Sequence, residues 1–257
     1  MLTKLSHSKM RFKIIIQARL SSSRLPGKMI MPFHENKGIL EIIIERLIAY
    51  FGKDNIVVAT TNSKADNVIA EMAKKHEIGI FRGSENDVLD RFIKTAEHED
   101  VKNVIRVCAD NPFIIPRYIQ ELIYAFDSST MDYLSYKFDD QMPVIKSHIG
   151  LFSEMTSLDA LRKVYSLTEQ KLYREHVTNY IYEHPEVFKV HFLELPKLIR
   201  KRRDLRLTID TIQDFKLTQD IFTQLRGDFS LESLVKTIDL NPEVLLSMKD
   251  QIDSNSK

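Results

Sequence analysis

Short apolar runs alternate with amphipathic stretches along the first half of the chain. The apolar runs predict strands at FKIIIQ (12–17), NIVVAT (55–60), IGIF (78–81) and NVIRVCA (103–109). The amphipathic stretches between them predict helices at 39–50, 64–76, 85–99 and 116–126. This alternation predicts βα units around a mostly parallel sheet, because the strands of such a sheet are covered on both faces and are apolar throughout.

The pattern is less regular after residue 130. It predicts strands at 132–136, 148–153, 188–195 and 205–210, and helices near 156–165, 169–183, 211–223 and 229–250. No low-complexity linker separates the two halves. We therefore predict a single α/β domain over residues 1–257, in which the second half extends a mixed sheet, with a frayed C-terminal tail.

Composition narrows the class of protein. A chain of 257 residues can bury a large core, and its 37 lysines and arginines balance 36 acidic residues, so no overall charge points to nucleic acid. The single cysteine, Cys108, excludes an intrachain disulfide and suits a reducing compartment. Residues 1–13 lack the apolar core of a signal peptide, and no apolar run has membrane-spanning length. We predict a cytoplasmic protein without a membrane or nucleic-acid partner.

Three cations follow the first predicted strand in a loop of small residues. Arg19, Arg24 and Lys28 lie in RLSSSRLPGK, where Pro26 and Gly27 predict a turn. Arginine offers a planar fork of donors to phosphate and lysine a compact charge, so the loop is a candidate polyphosphate site. A solvated basic loop is the alternative. Neither GxGxxG nor GxxxxGK[ST] occurs, which disfavours a nicotinamide or P-loop site.

Two aspartates follow two of the predicted strands. Asp110 comes after 103–109 and Asp210 ends 205–210, so both side chains are expected beyond the carboxyl ends of strands, where ligands bind in such sheets. Two carboxylates together with phosphate oxygens could hold Mg²⁺. Asp210 also suits the N-cap of the helix that follows it. Arg106, inside a covered strand, requires a partner for its charge.

The segment KLIRKRRDLR (197–206) is strongly basic, with six lysines or arginines in ten residues. Alone it would suggest nucleic-acid binding. It lacks interleaved aromatic residues, however, so a solvated face or the rim of an anionic-substrate site is the favoured interpretation. Arg206 is the member of this segment best placed to reach a cleft.

Several blocks, in order and spacing, resemble the cytidylyltransferases that activate sugar acids. They are QARLSSSRLPGK, VVATTNSKADNVI, FRGSENDVLDRF, VIRVCADNPFI, REHVTNYIYEHPEVF and LRLTIDTIQDF. The likeness is strongest to the spore-coat-polysaccharide branch, which is related to the ketodeoxyoctonate cytidylyltransferases. It implies a three-layer, Rossmann-like fold of the nucleotide-diphospho-sugar-transferase type, with a nucleotide-binding half (1–127) and a half for sugar binding and dimerisation (128–257). It also implies a homodimer.

The resemblance implies that CTP and a sugar give a CMP-sugar and pyrophosphate, by in-line attack of a sugar hydroxyl on the α-phosphorus. The implied catalytic residues are Arg19, Lys28, Asp110 and Asp210, and the two aspartates would hold Mg²⁺. The implied nucleotide-binding residues are Ala18, Arg19, Ser22, Arg24, Lys28, Arg82, Ser84 and Arg106. The implied sugar-binding residues are His148, His176 and Arg206. A packing role remains the alternative for His176, as it does for the charges of FRGSENDVLDRF, whose apolar residues have helical spacing.

The chain departs from the pattern of this branch near the first aspartate. CADNP stands where the branch has TGDCP, so Cys108, Ala109 and Asn111 replace Thr, Gly and Cys. KSHIGLF (146–152) stands where the branch has G-x-D-x-E-V-F, in a segment that faces the sugar in relatives, so the identity of the acceptor is open. A nucleotidyltransferase of the same fold that uses GTP or a sugar phosphate is an alternative, as is a non-catalytic nucleotide-binding protein or a nucleic-acid binder acting through residues 197–206.

Overall fold

The computed structural model describes residues 11–254, so most of the N-terminal stretch and the end of the C-terminal tail lie outside the described residues. The first half forms alternating strands and helices within a few residues of the predicted bounds. They are β1 (Phe12–Gln17), α1 (Ile39–Phe51), β2 (Ile56–Thr61), α2 (Asn67–Lys75), β3 (Gly79–Gly83), α3 (Val88–His98), β4 (Asn103–Cys108) and α4 (Pro116–Ala125).

The second half contributes three strands and six helices to the described part of the chain. They are β5 (Tyr133–Lys137), β6 (Glu154–Ser157), α5 (Leu158–Leu167), α6 (Lys171–Glu175), α7 (Asn179–Glu183), β7 (Val190–Glu194), α8 (Ile212–Gln224), α9 (Leu231–Asp239) and α10 (Pro242–Ser254). Three short 3₁₀ turns lie at Lys53–Asn55, Lys64–Asp66 and Val144–Lys146.

All seven strands form one sheet in the order β3-β2-β1-β4-β6-β5-β7. The strands β3, β2, β1 and β4 run parallel, β6 is antiparallel to both of its neighbours, and β5 and β7 are parallel. The predicted mixed, mostly parallel sheet is confirmed. Chain order reverses between β1 and β4, and ligands bind at such switch points in open α/β sheets. Gln17 and Cys108, the last residues of these two strands, lie opposite each other.

Helices cover both faces of the sheet, which makes three layers. Along β1 the side chains of Ile14 and Ile16 pack into the core under α1, α4 and α8, while Ile15 packs into the core under α3 and α5. All three are fully buried. Burying such a side chain contributes about 1.5–3 kcal/mol, which is why an apolar run with no polar face forms a central strand.

Two predicted strands are wrong. Residues 148–153 precede the actual strand β6, and residues 205–210 form an irregular extended segment. Leu205, Leu207 and Ile209 alternate with polar residues, as in a strand, but all six residues are buried, and the segment makes isolated backbone bonds instead of a ladder. The Leu207 and Thr208 amides donate to the His148 carbonyl (2.9 and 3.1 Å), and the Ile209 amide donates to the Asp110 carbonyl (2.9 Å). The segment therefore attaches to loops beyond the sheet rather than to its edge.

Two predicted helices are each divided in two. The helix predicted over 169–183 is interrupted between α6 and α7, where Val177 has a φ of +40°. The helix predicted over 229–250 is interrupted before Pro242, which lacks an amide hydrogen and begins α10. The tail predicted to fray is helical as far as Ser254. None of the helices in residues 11–254 is long and apolar enough to cross a membrane.

Candidate active site

A cleft of about 760 Å³ opens beyond the carboxyl ends of β1 and β4. Its walls come from the loop after β1, from the turn after β4, from the segments 144–152 and 208–210, and from α6 and α7. Eight of the predicted site residues line it: Arg19, Ser22, Arg24, Lys28, Arg106, Asp110, His176 and Asp210. The cleft therefore brings together residues from both halves of the chain.

The turn predicted at Pro26–Gly27 directs Lys28 into this cleft. Gly27 has a φ of +73°, a conformation that glycine adopts without steric cost, and its amide donates to the Leu20 carbonyl (3.1 Å). The loop thus folds back on itself, and Lys28, only 5% exposed, extends beneath it.

The ammonium group of Lys28 lies between the two predicted aspartates. Its Nζ is 3.3 Å from Asp110 Oδ2 and 3.8 Å from Asp210 Oδ1, and it also donates to the Ile209 carbonyl. Arg24 Nη2 is 2.7 Å from Asp210 Oδ1. Because both carboxylates are within ion-pair distance of one ammonium, they converge on the same small volume. Two carboxylates at a cleft that can admit phosphate oxygens form the donor set that Mg²⁺ takes, so the residues fit the predicted ion.

A buried arginine holds the other side of Asp210. Arg206 is 1% exposed, and its guanidinium binds Asp214 through Nε (2.6 Å) and Nη2 (2.8 Å). Nη2 also lies 3.4 Å from Asp210 Oδ2. Burial alone would raise the pKa of Asp214, but the hydrogen bonds and charge of Arg206 hold that pKa below its ordinary value of 3.8.

The N-cap of α8 is Thr211, not Asp210. Thr211 and Asp214 form a reciprocal capping box, in which the Thr211 side chain accepts from the Asp214 amide and Asp214 accepts from the Thr211 amide (2.8 Å). Asp214 also accepts from the Asp210 amide (3.0 Å). Asp210 is thereby held at its backbone by the helix start, while its carboxylate is directed to the cations.

Arg106 has the partner that its position in a covered strand requires. Its Nη1 lies 2.7 Å from Glu154 Oε2, and its Nε donates to Gln17 Oε1 (3.2 Å). Glu154 is buried on β6 and also accepts from the hydroxyls of Tyr133 (2.5 Å) and Thr178 (2.8 Å). Burial disfavours the charged guanidinium, but the neighbouring Cys108 and Glu154 outweigh it and raise the pKa of Arg106. The cleft floor thus carries a permanently charged arginine.

Arg19 connects the loop to a helix on the opposite wall. Its Nη2 lies 3.5 Å from Glu175 Oε1 at the end of α6, and its Nη1 donates to the Glu85 carbonyl (3.3 Å). Ser22 accepts from the Leu25 amide (3.3 Å) through its hydroxyl, which shapes the loop. His176 lies at the interruption between α6 and α7.

The structure does not bring five of the predicted residues into the lining of the cleft. Ala18 is buried at the end of β1, and Ser84 accepts from the Asp87 amide (3.0 Å) at the start of α3. Arg82 donates to the Thr61 carbonyl (2.8 Å) and to the Ser63 carbonyl (2.6 Å).

His148 and Arg206 were predicted to contact the sugar, but they contact each other. His148 Nδ1 is 2.7 Å from Arg206 Nη1, and both side chains are buried behind Asp210. Arg206 lies there because Asp214, eight residues further along the chain, supplies its counter-charge.

Sequence reasoning missed Gln17, Thr208 and Tyr182, which line the cleft. Gln17 could have been found, since it is the last residue of a predicted strand next to the switch point. Tyr182 lies on α7, and its place in the wall depends on the break at 176–178, which no glycine or proline marks in the sequence.

The basic segment 197–206 is largely neutralised by carboxylates. Arg203 Nη1 is 2.8 Å from Asp140 Oδ2, and Arg202 Nε is 2.8 Å from Asp204 Oδ1. Arg200 Nε lies 3.7 Å from Asp139. None of the residues 197–206 lines the cleft, and the carboxylates beside these exposed cations would repel a phosphate backbone.

Comparison with known proteins agrees with this geometry. The family model of the cytidylyltransferases matches residues 13–238. An uncharacterised protein of Methanocaldococcus jannaschii is 39% identical over 235 residues (90% of this chain, 91% of that protein). The spore coat polysaccharide biosynthesis protein SpsF of Bacillus subtilis is 34% identical over 238 residues (89% of this chain, 94% of that protein).

A solved cytidylyltransferase of Leptospira borgpetersenii superposes with a TM-score of 0.81 at 32% identity, covering 92% of this chain and 97% of that one. The 3-deoxy-manno-octulosonate cytidylyltransferases are more distant relatives, which match 44% of the chain at 27–31% identity. The predicted resemblance and nucleotide-sugar-transferase fold are confirmed. The chain is a nucleotidyltransferase, and it belongs to the cytidylyltransferase family.

Proposed function

We propose that this enzyme transfers CMP from CTP to the hydroxyl of an acidic sugar and releases pyrophosphate, in the synthesis of a surface polysaccharide or glycan. One observation carries the proposal: the two aspartates and the cations Arg24 and Lys28 converge at one end of a single cleft. The similarity to a spore coat polysaccharide biosynthesis protein supports the polysaccharide context.

The loop after β1 would bind the triphosphate. Arg19, Arg24 and Lys28 now make ion pairs with Glu175, Asp210 and Asp110, and an incoming triphosphate would compete for these cations. Their charge would be most effective as pyrophosphate leaves, because negative charge then develops on the bridging oxygen. In this reaction the side chains bind and orient the substrates and neutralise charge, and no covalent intermediate with the protein is needed.

Asp110 and Asp210 would hold Mg²⁺, as their convergence and donor chemistry allow. The ion, when bound, would neutralise phosphate oxygens and favour ionisation of the attacking hydroxyl. Arg206 would keep Asp210 aimed at this position, since it holds the second oxygen of that carboxylate. Lys28, which now bridges both aspartates, would offset the charge of the pair when nucleotide is absent.

The wall of the cleft formed by the segment 144–152 and by α6 and α7 would receive the acceptor. Lys146 and His176 line it, and Lys146 Nζ lies 5.2 Å from the centre of the Tyr182 ring and 3.2 Å from Glu183. The Lys146 cation next to the aromatic ring of Tyr182 suits the carboxylate and the apolar face of a sugar acid. The predictions of a homodimer and of a cytoplasmic location stay predictions.

The direct test is pyrophosphate release from CTP and Mg²⁺ in the presence of 3-deoxy-manno-octulosonate, N-acetylneuraminate or their amino analogues. We expect release that depends on both CTP and one of these acids. Release with GTP but not with CTP, or with a sugar phosphate but no sugar acid, would contradict the proposal and favour the alternative nucleotidyltransferase.

A further inference from the structure

Asn111, next to Asp110, holds a buried polar atom without a partner. The residue lines the cleft and is 7% exposed, and its Oδ1 accepts no hydrogen bond from the described residues. A buried unsatisfied acceptor costs about 1–3 kcal/mol, and native proteins keep few of them. The Asn111 oxygen therefore has room for a hydrogen bond from a donor outside the described part of the chain.

A second polar side chain lies against the same point of the wall. Thr208 is also 7% exposed, and it lines the same cleft. A Cβ at Gly150 would lie 3.0 Å from both Asn111 Oδ1 and Thr208 Oγ1, and Gly150 has a φ of +63°. Glycine therefore lets the two polar groups close over one small niche in the cleft wall, which we call the Asn111–Thr208 niche.

The niche adjoins both aspartates along the chain. Asn111 follows Asp110 directly, and Thr208 precedes Asp210 by two residues. Its third member, Gly150, belongs to the segment 144–152, which contributes seven residues to the cleft lining. The niche thus faces the place where an acceptor would meet the reacting phosphate, from a wall that carries none of the three loop cations.

The chemistry of the niche selects a neutral ligand group. A side-chain amide and a hydroxyl each donate and accept hydrogen bonds, but neither carries charge. A half-turn of the amide exchanges its oxygen and nitrogen, so the niche can match either polarity. Phosphate and carboxylate are bound more strongly by arginine and lysine, which are absent from the niche.

We propose that Asn111 and Thr208 bind a neutral hydroxyl of the acceptor sugar, close to the hydroxyl that attacks CTP, and so select among acceptors. This inference rests on the proposed function and names the part of the acceptor that the wall recognises. A site built to hydrogen-bond a substrate hydroxyl rejects analogues that lack it, because its own buried groups are then left unpaired.

The test compares Asn111→Ala and Thr208→Val with wild type. Thr208→Val removes the hydroxyl while keeping the shape of the side chain. Asn103→Ala is the matched control, since Asn103 also has a buried Oδ1 without a partner but lies at the opposite end of β4, outside the lining of the cleft. Pyrophosphate release with CTP and 3-deoxy-manno-octulosonate or N-acetylneuraminate gives KM for each substrate, calorimetry gives the Kd of CTP, and thermal unfolding gives Tm.

We expect the acceptor kcat/KM to fall about 10- to 100-fold in both niche variants, with CTP Kd within about twofold of wild type. Asn103→Ala should change neither quantity. The Tm of Asn111→Ala should match or exceed that of wild type, because the substitution removes an unpaired buried oxygen. An unchanged acceptor kcat/KM in both niche variants, or an equal loss of CTP affinity, would overturn the inference while leaving the proposed function intact.

Thermal unfolding decides the case in which neither acid is a substrate. A Tm of Asn111→Ala well below those of wild type and Asn103→Ala would show that the amide serves the fold, which overturns the inference. A Tm at or above that of wild type supports a ligand-serving amide. Failure of the wild-type protein to bind CTP would instead refute the proposed function.

Discussion

Two basic segments of this enzyme have opposite environments. The segment 197–206 has six cations in ten residues, yet its exposed arginines pair with carboxylates of neighbouring loops such as Asp139 and Asp140. The loop 19–28 has only three, but Lys28 and Arg24 face Asp110 and Asp210 in a concave cleft. Both sets of cations pair with carboxylates, but those of the loop lie in a concave cleft at the carboxyl edge of the sheet, which is why we propose that this loop, and not the more basic segment, binds phosphate.

The largest effect should come from the carboxylates that face the loop. Asp110→Asn or Asp210→Asn should reduce kcat by about 10³-fold or more, because each removes a charge from the centre that would hold Mg²⁺. Steady-state pyrophosphate release measures this effect. Asp140→Asn is the matched control, since it removes a carboxylate paired with an arginine of the other segment, and its kcat should be that of wild type. Near-native turnover in either active-site variant would remove the basis for distinguishing the two segments.

Arg206 joins the two regions, because it belongs to the basic segment but holds Asp210 from behind. Asp214→Asn should lower the free energy of unfolding by up to about 3–5 kcal/mol at pH 7, since it leaves the buried Arg206 charge with only the more distant carboxylate of Asp210. Urea unfolding measures the difference.

The ion pair of Arg206 and Asp214 also makes the free energy of unfolding depend on pH in a defined direction. The pKa of Asp214 is lower in the folded protein than its ordinary value of 3.8. The ion pair therefore stabilises the fold fully above pH 3.8, and this stabilisation is lost as the pH falls below 3.8 and through the folded pKa. The unfolding free energies of wild type and Asp214→Asn should therefore converge below pH 4. A constant difference from pH 7 to pH 3 would contradict the assignment.

Arg24→Ala should weaken CTP binding by about 10- to 100-fold, because one charged hydrogen-bond donor to phosphate is lost. The side chain is half exposed, so the fold should tolerate the change. Calorimetry with CTP and Mg²⁺ is the measurement. Unchanged affinity would mean that the loop does not bind the phosphates.

The smallest effect belongs to the surface of the basic segment. Arg203→Ala should change the unfolding free energy by about 1 kcal/mol or less, since exposed ion pairs contribute little, and CTP affinity should stay the same. Salt-dependent binding of wild type to RNA, lost in this variant, would instead restore the nucleic-acid interpretation of residues 197–206.

The strands of the first half could be predicted from the sequence because each is a short, mostly apolar run between two amphipathic stretches. It failed at 205–210, where Leu205, Leu207 and Ile209 alternate as in a strand but anchor a loop that carries Asp210 across the end of the sheet. The alternation of apolar and polar residues does not show whether a hydrogen-bonded neighbouring strand exists, and here the polar residues Arg206, Thr208 and Asp210 are buried too.

The candidate site was predictable where it depended on strand ends. Asp110 and Lys28 follow from the position of two strands and one turn. The burial of Arg206 was not predictable from its own segment, because it depends on Asp214 in the next helix. Thr211 and Asp214 do form a recognisable T-x-x-D capping pattern, which would have assigned the N-cap correctly.

Calorimetric titration of the wild-type protein with CTP, UTP, GTP and ATP, with and without Mg²⁺, tests the central claim most directly. The claim is that the cleft binds a cytidine triphosphate between the loop cations and the two aspartates. We expect CTP to bind at least about tenfold more tightly than the other three nucleotides, and more tightly with Mg²⁺ than without it. Preference for another nucleotide, or no binding of any of the four, would contradict it.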